Sequence, residues 1–464
     1  MLNIPDFLKV EQKVQEIAEL QAARGVTLDV QACHARIIEL KRDIDEIDRD
    51  LKPLLPKRKV VSTRLKSAYL KNGEKKRALV QWTESGGEYH IHEDETVSRW
   101  KYEDLDVDSI SQLKQFLLDI GWEPEYYNYK KDKDEFGKLR FAKDADNKLI
   151  PLSPKLPKSD EELEELDRKY NNPAFKLIVR RLQKKHRLGS IEGYLKRVRP
   201  DGQIESRVMT CGTNTARMTH IGVANVPRVS SYYGKEMRSL FTVPQGRSMV
   251  GADASRLEFR CLAHYINDYI FTDFVSQHDI KKYFLDILKD YVSNGDVAKA
   301  VMYAMIYGGG NKKLGTMADI ATGDPTTLGK EMRHKLESSI PNLDKLVKWC
   351  VKMHQDYKGL PAIDGRKIWT RSEHSALNTL LQSTGAIAMK YAACFAHHEF
   401  KVRGLDAHII IQYHDEMQVD CAEGIEDEVG KILCDAMTKA GEHLKMNLPL
   451  TGEYATGKTW AETH

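Results

Sequence analysis

The chain has 464 residues, 41% of them hydrophobic and 30% charged, and a formal net charge of +3. That is enough for two or three structural units, and too little net charge to mark the whole molecule as a binder of nucleic acid or membrane surfaces. No apolar run approaches the roughly eighteen residues of a membrane span. The N-terminal MLNIPDFLKV has no signal-peptide pattern, and seven cysteines include no CxxC pair, so a cytoplasmic protein with reduced thiols and no zinc site is expected.

Residues 1–55 read as two long helices. In the second, Ile37, Leu40, Ile44, Ile47 and Leu51 recur at three- and four-residue spacing, a seam suited to an antiparallel helical partner, and Pro53 and Pro56 end it. From Lys57 to Arg77 there are nine Lys or Arg against one Glu. Strand-like ALVQWT and EYHIH follow around the turn Ser85-Gly86-Gly87, which predicts a basic, partly β insertion over about 56–107. Asp108 is placed to cap the helix SISQLKQFLLDIG, and Trp122, Tyr126 and Tyr127 read as packing residues. Lys130 to Asp160 is charged, poor in large apolar residues and broken by prolines, so it reads as a loop; Ser159 with Glu162 makes a capping box for the next helix. Phe175 to Leu188 carries Arg180, Arg181, Lys184, Lys185 and Arg187. These five cations are either a solvated face or, in a DNA-handling chain, a grip on the duplex backbone.

Three later stretches carry the chemistry. In Met249–His264, MVGADASRLEFRCLAH, an apolar strand delivers Asp253 and then gives way to a helical pattern. In Asp296–Gly310, DVAKAVMYAMIYGGG, Asp296 reads as an N-cap, Lys299, Tyr303 and Tyr307 fall on one helical face, and the glycines from Gly308 end the helix. In Ala407–Cys421, AHIIIQYHDEMQVDC, two short strands meet at the polar turn His414, Asp415 and Glu416. Singly, these stretches also fit a solvated turn and an ordinary core stripe. Together, two strand-borne aspartates that converge would form an oxygen-lined site for divalent metal.

DASRLEFR at Asp253–Arg260, KAVMYAMIYG at Lys299–Gly308 and YHDE at Tyr413–Glu416 resemble the A, B and C motifs of family A DNA polymerases. EFRCLAHY, DGRKIWTRSEHSALNTLLQSTGA and the ending TWAETH are similar to the replicative enzymes of T-odd phages; the resemblance is dense from Leu188 onward and thinner before it. It implies an α+β right-hand fold. A helical thumb would cover about 1–190, with the insertion as its small partly β element. A palm with an antiparallel sheet would come from about 191–262 and 396–464, and helical fingers from 263–395.

The implied reaction is template-directed addition of deoxynucleotides to a primer 3′-hydroxyl with two Mg²⁺ ions about 4 Å apart. The resemblance makes Asp253, Asp415 and the backbone carbonyl of Ala254 the metal ligands and counts Glu416 among the catalytic residues. Lys299 would neutralise phosphate charge, Tyr303 and Tyr307 would bracket the sugar and base, and Glu258 would exclude a ribose 2′-hydroxyl. Tyr303 in place of the commoner Phe implies tolerance of dideoxynucleotides. CGTNTARMTHIGVANVPR would set Arg217 against the primer end and Asn225 in the minor groove, with Ala224 replacing the commoner Gln. His374, Asn378 and Gln382, spaced as one helical face, would touch the template strand and the new pair, and His414 would join the DNA contacts.

Two departures from the family pattern stand out. Gly295 occupies the place of a triphosphate-binding Arg and Lys281 that of a His, so either Lys281 and Lys282 compensate or nucleotide binding is weaker. Residues 1–190 hold no acidic constellation suited to a nuclease, which leads us to expect the exonuclease on a separate polypeptide or deleted. Expected partners are primer-template DNA, deoxynucleoside triphosphates, a separate exonuclease subunit and a replisome helicase or primase, with no membrane. A processivity factor on the basic insertion is an equal contender with phosphate binding there. The alternatives are a non-catalytic DNA-binding scaffold subunit and a single-subunit RNA polymerase; intact Asp253 and Asp415 argue against the first and Glu258 against the second.

Overall fold

A computed structural model describes residues 6–463 apart from 125–126, 134–138, 145, 147, 157–159, 171 and 278. The capping box at Ser159 and the ring of Tyr126 lie outside the described residues. The chain divides into two units, Met1–His34 with Ile191–His464, and Ala35–Ser190.

The first unit is built on a four-stranded antiparallel sheet. Its spatial order is Ala407–Tyr413, Glu416–Ala422, Arg247–Ala254 and Gly452–Gly457. The Arg247–Ala254 strand is central, pairing Val250 with Val419 on one side and with Thr456 on the other. It is apolar on both faces because both are covered, which is why it reads as a continuous run, MVGA, and does not alternate. The helix Glu426–His443 closes one face through Val429, Ile432, Leu433, Ala436 and Met437, an amphipathic stripe at three- and four-residue spacing. Gly430 is required within it. A Cβ there would lie 2.2 Å from the Tyr454 ring, so only glycine lets helix and strand approach this closely.

Helices follow from Leu257 to Tyr357. Phe259, Phe284, Val301, Met302 and Met305 share one apolar cluster with Val250 and Val419, so the core runs without a break from the sheet into these helices. The helix Ala376–Arg403 threads the same core with Leu380, Leu381, Ile387, Ala388 and Ala392 buried.

The N-terminal helix Asp6–Arg24, assigned from sequence to a 1–190 thumb, packs within this first unit. Val14 and Ile17 are buried, and its polar residues reach long-range partners. Glu11 accepts from Lys390 Nζ at 2.6 Å, Gln21 Nε2 donates to the Ser206 carbonyl at 2.6 Å, and Arg24 pairs with Asp420 at 2.7 Å. These partners are hundreds of residues away, and no local pattern announces them.

The second unit has its own core of Leu51, Leu113, Phe116, Leu117, Trp122, Ala174, Phe175 and Ile178. Trp122 packs there as expected. The insertion forms a three-stranded sheet in the order Arg58–Leu65, Val97–Glu103, Glu88–Ile91. ALVQWT, read as a strand, is instead the helix Arg77–Glu84. Leu79 is its buried anchor against Ala68 and Val97, while Trp82 Nε1 donates to the Glu88 carbonyl at 3.0 Å across the turn. The expected loop over 130–160 contains short antiparallel pairs, Tyr127–Tyr129 with Pro151–Pro154 and Lys131–Lys133 with Leu139–Phe141. These strands are mostly exposed, so they leave no apolar alternation to read.

Two further expectations are corrected here. Asp108 does not cap its helix: Ser109 holds that position, and the Asp108 carboxylate accepts from Arg181 at 2.6 Å and Lys185 at 2.5 Å. Arg181, whose side chain is only 5% exposed, also grips Asp48, and Lys184 pairs with Asp43 at 2.6 Å. Arg180 donates to Gln183 at 3.0 Å. Arg181 and Lys184 are therefore ion-paired within this unit.

Candidate active site

The central strand Arg247–Ala254 and the hairpin Ala407–Ala422 bring the two aspartates to one end of the sheet. Asp253 lies opposite Glu416 in the ladder, and the Ala254 amide donates to the Asp415 carbonyl at 2.9 Å. The turn between the hairpin strands has two residues, His414 and Asp415, because Tyr413 pairs with Glu416. Tight turns of this length need a left-handed residue, and His414 takes that role at φ 61°. Asp415 is thus held by backbone on both sides.

Burial pushes the Asp415 carboxyl above its ordinary value, and the nearby Glu258 carboxylate adds to the effect. Glu258 stands in the first turn of the helix Leu257–Ile266. It accepts from the Tyr307 hydroxyl at 3.1 Å and lies 3.7 Å from the Arg217 guanidinium. His414 is driven down to about 4 by burial and by the neighbouring cation Arg217, so its imidazole is neutral at physiological pH.

The helix Gly295–Ile306 supplies the third wall. Asn294, not Asp296, is its N-cap: the side-chain oxygen accepts from the amides of Asp296 and Val297 at 3.0 Å. The sequence reading placed the cap at Asp296, two residues too late. Lys299 and Tyr303 share a face, with the ammonium 5.6 Å from the Tyr303 ring centroid; Tyr303 in turn stacks on Tyr307 at 5.9 Å and packs against Phe259 at 4.6 Å. Tyr307 is the C-cap, and Gly308 follows at φ 76°. A Cβ on Gly308 would meet the His374 carbonyl at 2.8 Å, so the helix must end on glycine here.

The unusual Gly295 has a steric explanation. A Cβ there would lie 2.8 Å from Lys281 Cβ and 3.0 Å from its carbonyl, so the absent side chain lets the helix Ile280–Leu288 close on the start of the Lys299 helix. Lys281 then pairs with Asp296 at 2.6 Å. Burial lowers the basicity of Lys299, with further lowering by the cations Lys281 and Arg256. Arg256 was not foreseen. It sits inside the DASRLEFR motif at φ 56°, and its guanidinium donates to the Val275 carbonyl at 3.0 Å.

Glu416, counted from sequence among the catalytic residues, lies on the closed side of the hairpin. Its side chain is 4% exposed and accepts from Arg238 at 3.2 Å, from Gln418 at 2.5 Å and from the Trp460 indole. Arg238 lies 4.3 Å from the centroid of the Trp460 ring. This buried, hydrogen-bonded carboxylate fastens the C-terminal segment to the hairpin.

Beside the sheet end opens a cleft of about 520 Å³, in which Arg217, Asn225, Asn378, Gln382 and His414 converge from widely separated segments. Ala224 lines it too. Asn225 adopts φ 53° in the loop, and the buried Asn378 amide oxygen has no hydrogen-bond partner among the described residues, so the wall is polar and incompletely satisfied. His374 does not join them. It is exposed on the short turn Glu373–Ser375 ahead of the Ala376–Arg403 helix, which breaks the helical spacing with Asn378.

The carboxylates at the sheet end are hard oxygen donors, which suit Mg²⁺. Among the described residues no three His, Cys, Asp or Glu side chains converge into a complete cage, so an ion held by Asp253 and Asp415 would take further ligands from backbone carbonyl and substrate oxygens. All seven cysteines are free, and no described helix is long and apolar enough to cross a membrane.

The family model for DNA polymerase family A matches residues 135–462. A DNA-directed DNA polymerase of Escherichia phage Phieco32 is 25% identical across the whole of both chains. Those of Enterobacteria phage T3 and Escherichia phage T7 are each 31% identical over 341 residues, which cover 63% of this chain and 46% of theirs. This chain therefore spans about half the length of the latter two relatives. Among solved structures, the polymerase domain of Pol1 from M. smegmatis, in complex with DNA primer-template and dNTP, shares the fold with a TM-score of 0.71 at 19% identity, over 98% of this chain and 70% of that one.

Proposed function

The chain belongs to DNA polymerase family A, and from that premise we propose that it extends a primer 3′-hydroxyl by template-directed addition of deoxynucleotides, with Asp253 and Asp415 as the pair that holds Mg²⁺. One observation carries the assignment of residues: the in-register ladder and the Ala254-to-Asp415 amide bond fix both aspartates at one sheet end, beside a polar cleft. Asp415, desolvated and facing a second carboxylate, is raised in pKa, the condition that a bound cation relieves.

When bound, the metal supplies a more acidic primer hydroxyl and neutralises the leaving pyrophosphate. This chain's residues do the positioning. Lys299 meets the phosphates, and Lys281 and Arg256 add the positive charge that Gly295 lacks. Tyr303 and Tyr307 set the sugar and base, with Tyr307 held by Glu258 at 3.1 Å. Glu258, itself fixed from two sides, leaves no room for a 2′-hydroxyl. Arg217, Asn225, Asn378 and Gln382 take the primer-template in the cleft, reading shape and not sequence.

The experiment is primer extension with deoxy- and ribonucleotides, with Mg²⁺ and with chelator. Mg²⁺-dependent extension by deoxynucleotides alone is expected. Binding of DNA without extension would replace this reading with a scaffold subunit, and efficient ribonucleotide use without a primer would replace it with an RNA polymerase.

A further inference from the structure

The hairpin Gly359–Pro361 with Lys367–Trp369 carries an indole that the reading above does not use. Trp369 is 58% exposed. Its backbone is nonetheless fixed: it pairs with Gly359, its carbonyl accepts from Asn214 Nδ2 at 2.8 Å, and the following Thr370 amide donates to the Lys358 carbonyl at 3.1 Å.

Lys367, two residues back on the same strand face, places its ammonium 4.2 Å from the ring centroid. It can do so because Gly359, across the strand, has no side chain; a Cβ there would lie 2.9 Å from Lys367 Cε. The backbone that carries the indole is thus fixed, and a flexible cation lies over the ring. An aromatic face with cations beside it is the arrangement that single-stranded nucleic acid uses, bases stacking on the ring and phosphates meeting the charges.

Its place relative to the cleft fixes which strand would use it. Asn214, bonded to the Trp369 carbonyl, and Arg371, two residues beyond it, both line the 520 Å³ cleft, so the strand that carries the ring runs beside that cleft. Base pairs inside a duplex are stacked on both faces and offer none to an indole. We propose that Trp369 is a stacking platform for an unpaired base of the template overhang ahead of the primer end, with Lys367 and Arg371 on the flanking phosphates. The proposal rests on the polymerase reading and adds a subsite to it.

The test measures binding of the full chain to primer-templates with a single-nucleotide template overhang, with one of about six nucleotides, and with the longer overhang made abasic. Wild type should bind the longer overhang about tenfold more tightly than the short one, and lose that gain when the bases are removed. Trp369→Ala should lose the gain and keep short-overhang binding, while Trp369→Phe should retain most of it. The platform is overturned if Trp369→Ala keeps the full gain, if it weakens short- and long-overhang binding equally, or if the abasic overhang binds as tightly as the normal one. Extension of the short-overhang substrate separates the two readings: if wild type does not extend it, the polymerase reading fails; if it does and the overhang gain survives in Trp369→Ala, only the platform fails.

Discussion

Asp415 and Glu416 are neighbours on one hairpin, yet they belong to opposite regions of the sheet end. On the open side, Asp415 is desolvated beside Glu258, and its pKa rises. On the closed side, Glu416 collects donors from Arg238, Gln418 and Trp460. Where a carboxylate is buried and paired, the charge fastens the fold; where it is half-buried and under-compensated, the fold bears a cost that a ligand can remove. The same contrast separates the cations. Arg181 and Lys184 are matched to Asp48, Asp108 and Asp43, whereas Lys299 lies among the like charges Lys281 and Arg256.

The contrast can be broken by exchanging the two effects. Asp415→Asn and Asp253→Asn should each lower primer extension by about 10³-fold or more, a loss of about 4 kcal/mol in transition-state stabilisation. Asp415→Asn should leave the melting temperature unchanged or raised, because it removes a desolvated charge. Glu416→Ala should do the reverse in stability. It leaves Arg238 buried and unpaired, costing about 3–5 kcal/mol, read as a fall of several degrees in melting temperature. Equal thermal losses in Asp415→Asn and Glu416→Ala would erase the distinction.

Smaller effects sharpen it. Lys281→Ala should raise the nucleotide KM about tenfold, equivalent to about 1.4 kcal/mol, with kcat little changed. Tyr303→Phe should lower dideoxynucleotide incorporation relative to deoxynucleotide, measured as a ratio of kcat/KM. At the closed edge of the sheet, Arg247 holds the Asp406 carboxyl down to about 2. A depressed carboxylate stabilises the fold above its unfolded value, near 3.8, and that contribution disappears as the pH falls towards 2. Asp406 is more than half exposed, so Asp406→Asn should cost well under about 1 kcal/mol at pH 7, and the difference from wild type in denaturant midpoint should vanish in strong acid.

What could be read from the sequence was local. Asp253 and Asp415 were visible because strand patterns deliver them to chain reversals, and the convergence of Arg217, Asn225, Asn378 and Gln382 on one cleft followed from the family resemblance. What could not be read was long-range pairing. Nothing near Glu416 announces Arg238 or Trp460, nothing near Arg181 announces Asp48, and the helix Asp6–Arg24 reveals its unit only through Lys390, Ser206 and Asp420. ALVQWT failed for a related reason. In a segment of eight residues, strand and helix patterns are too short to separate, and the tertiary anchor at Leu79 decided.

Asp253, on the central strand, and Asp415, in the neighbouring hairpin turn, are proposed to hold divalent ions together with substrate. Mn²⁺ binding, followed by its paramagnetic resonance signal on the chain with a chain-terminated primer-template and the next deoxynucleotide, tests it directly. Two tightly bound ions are predicted for wild type, with occupancy lost in both Asp253→Asn and Asp415→Asn. Unchanged occupancy in either variant would contradict the account.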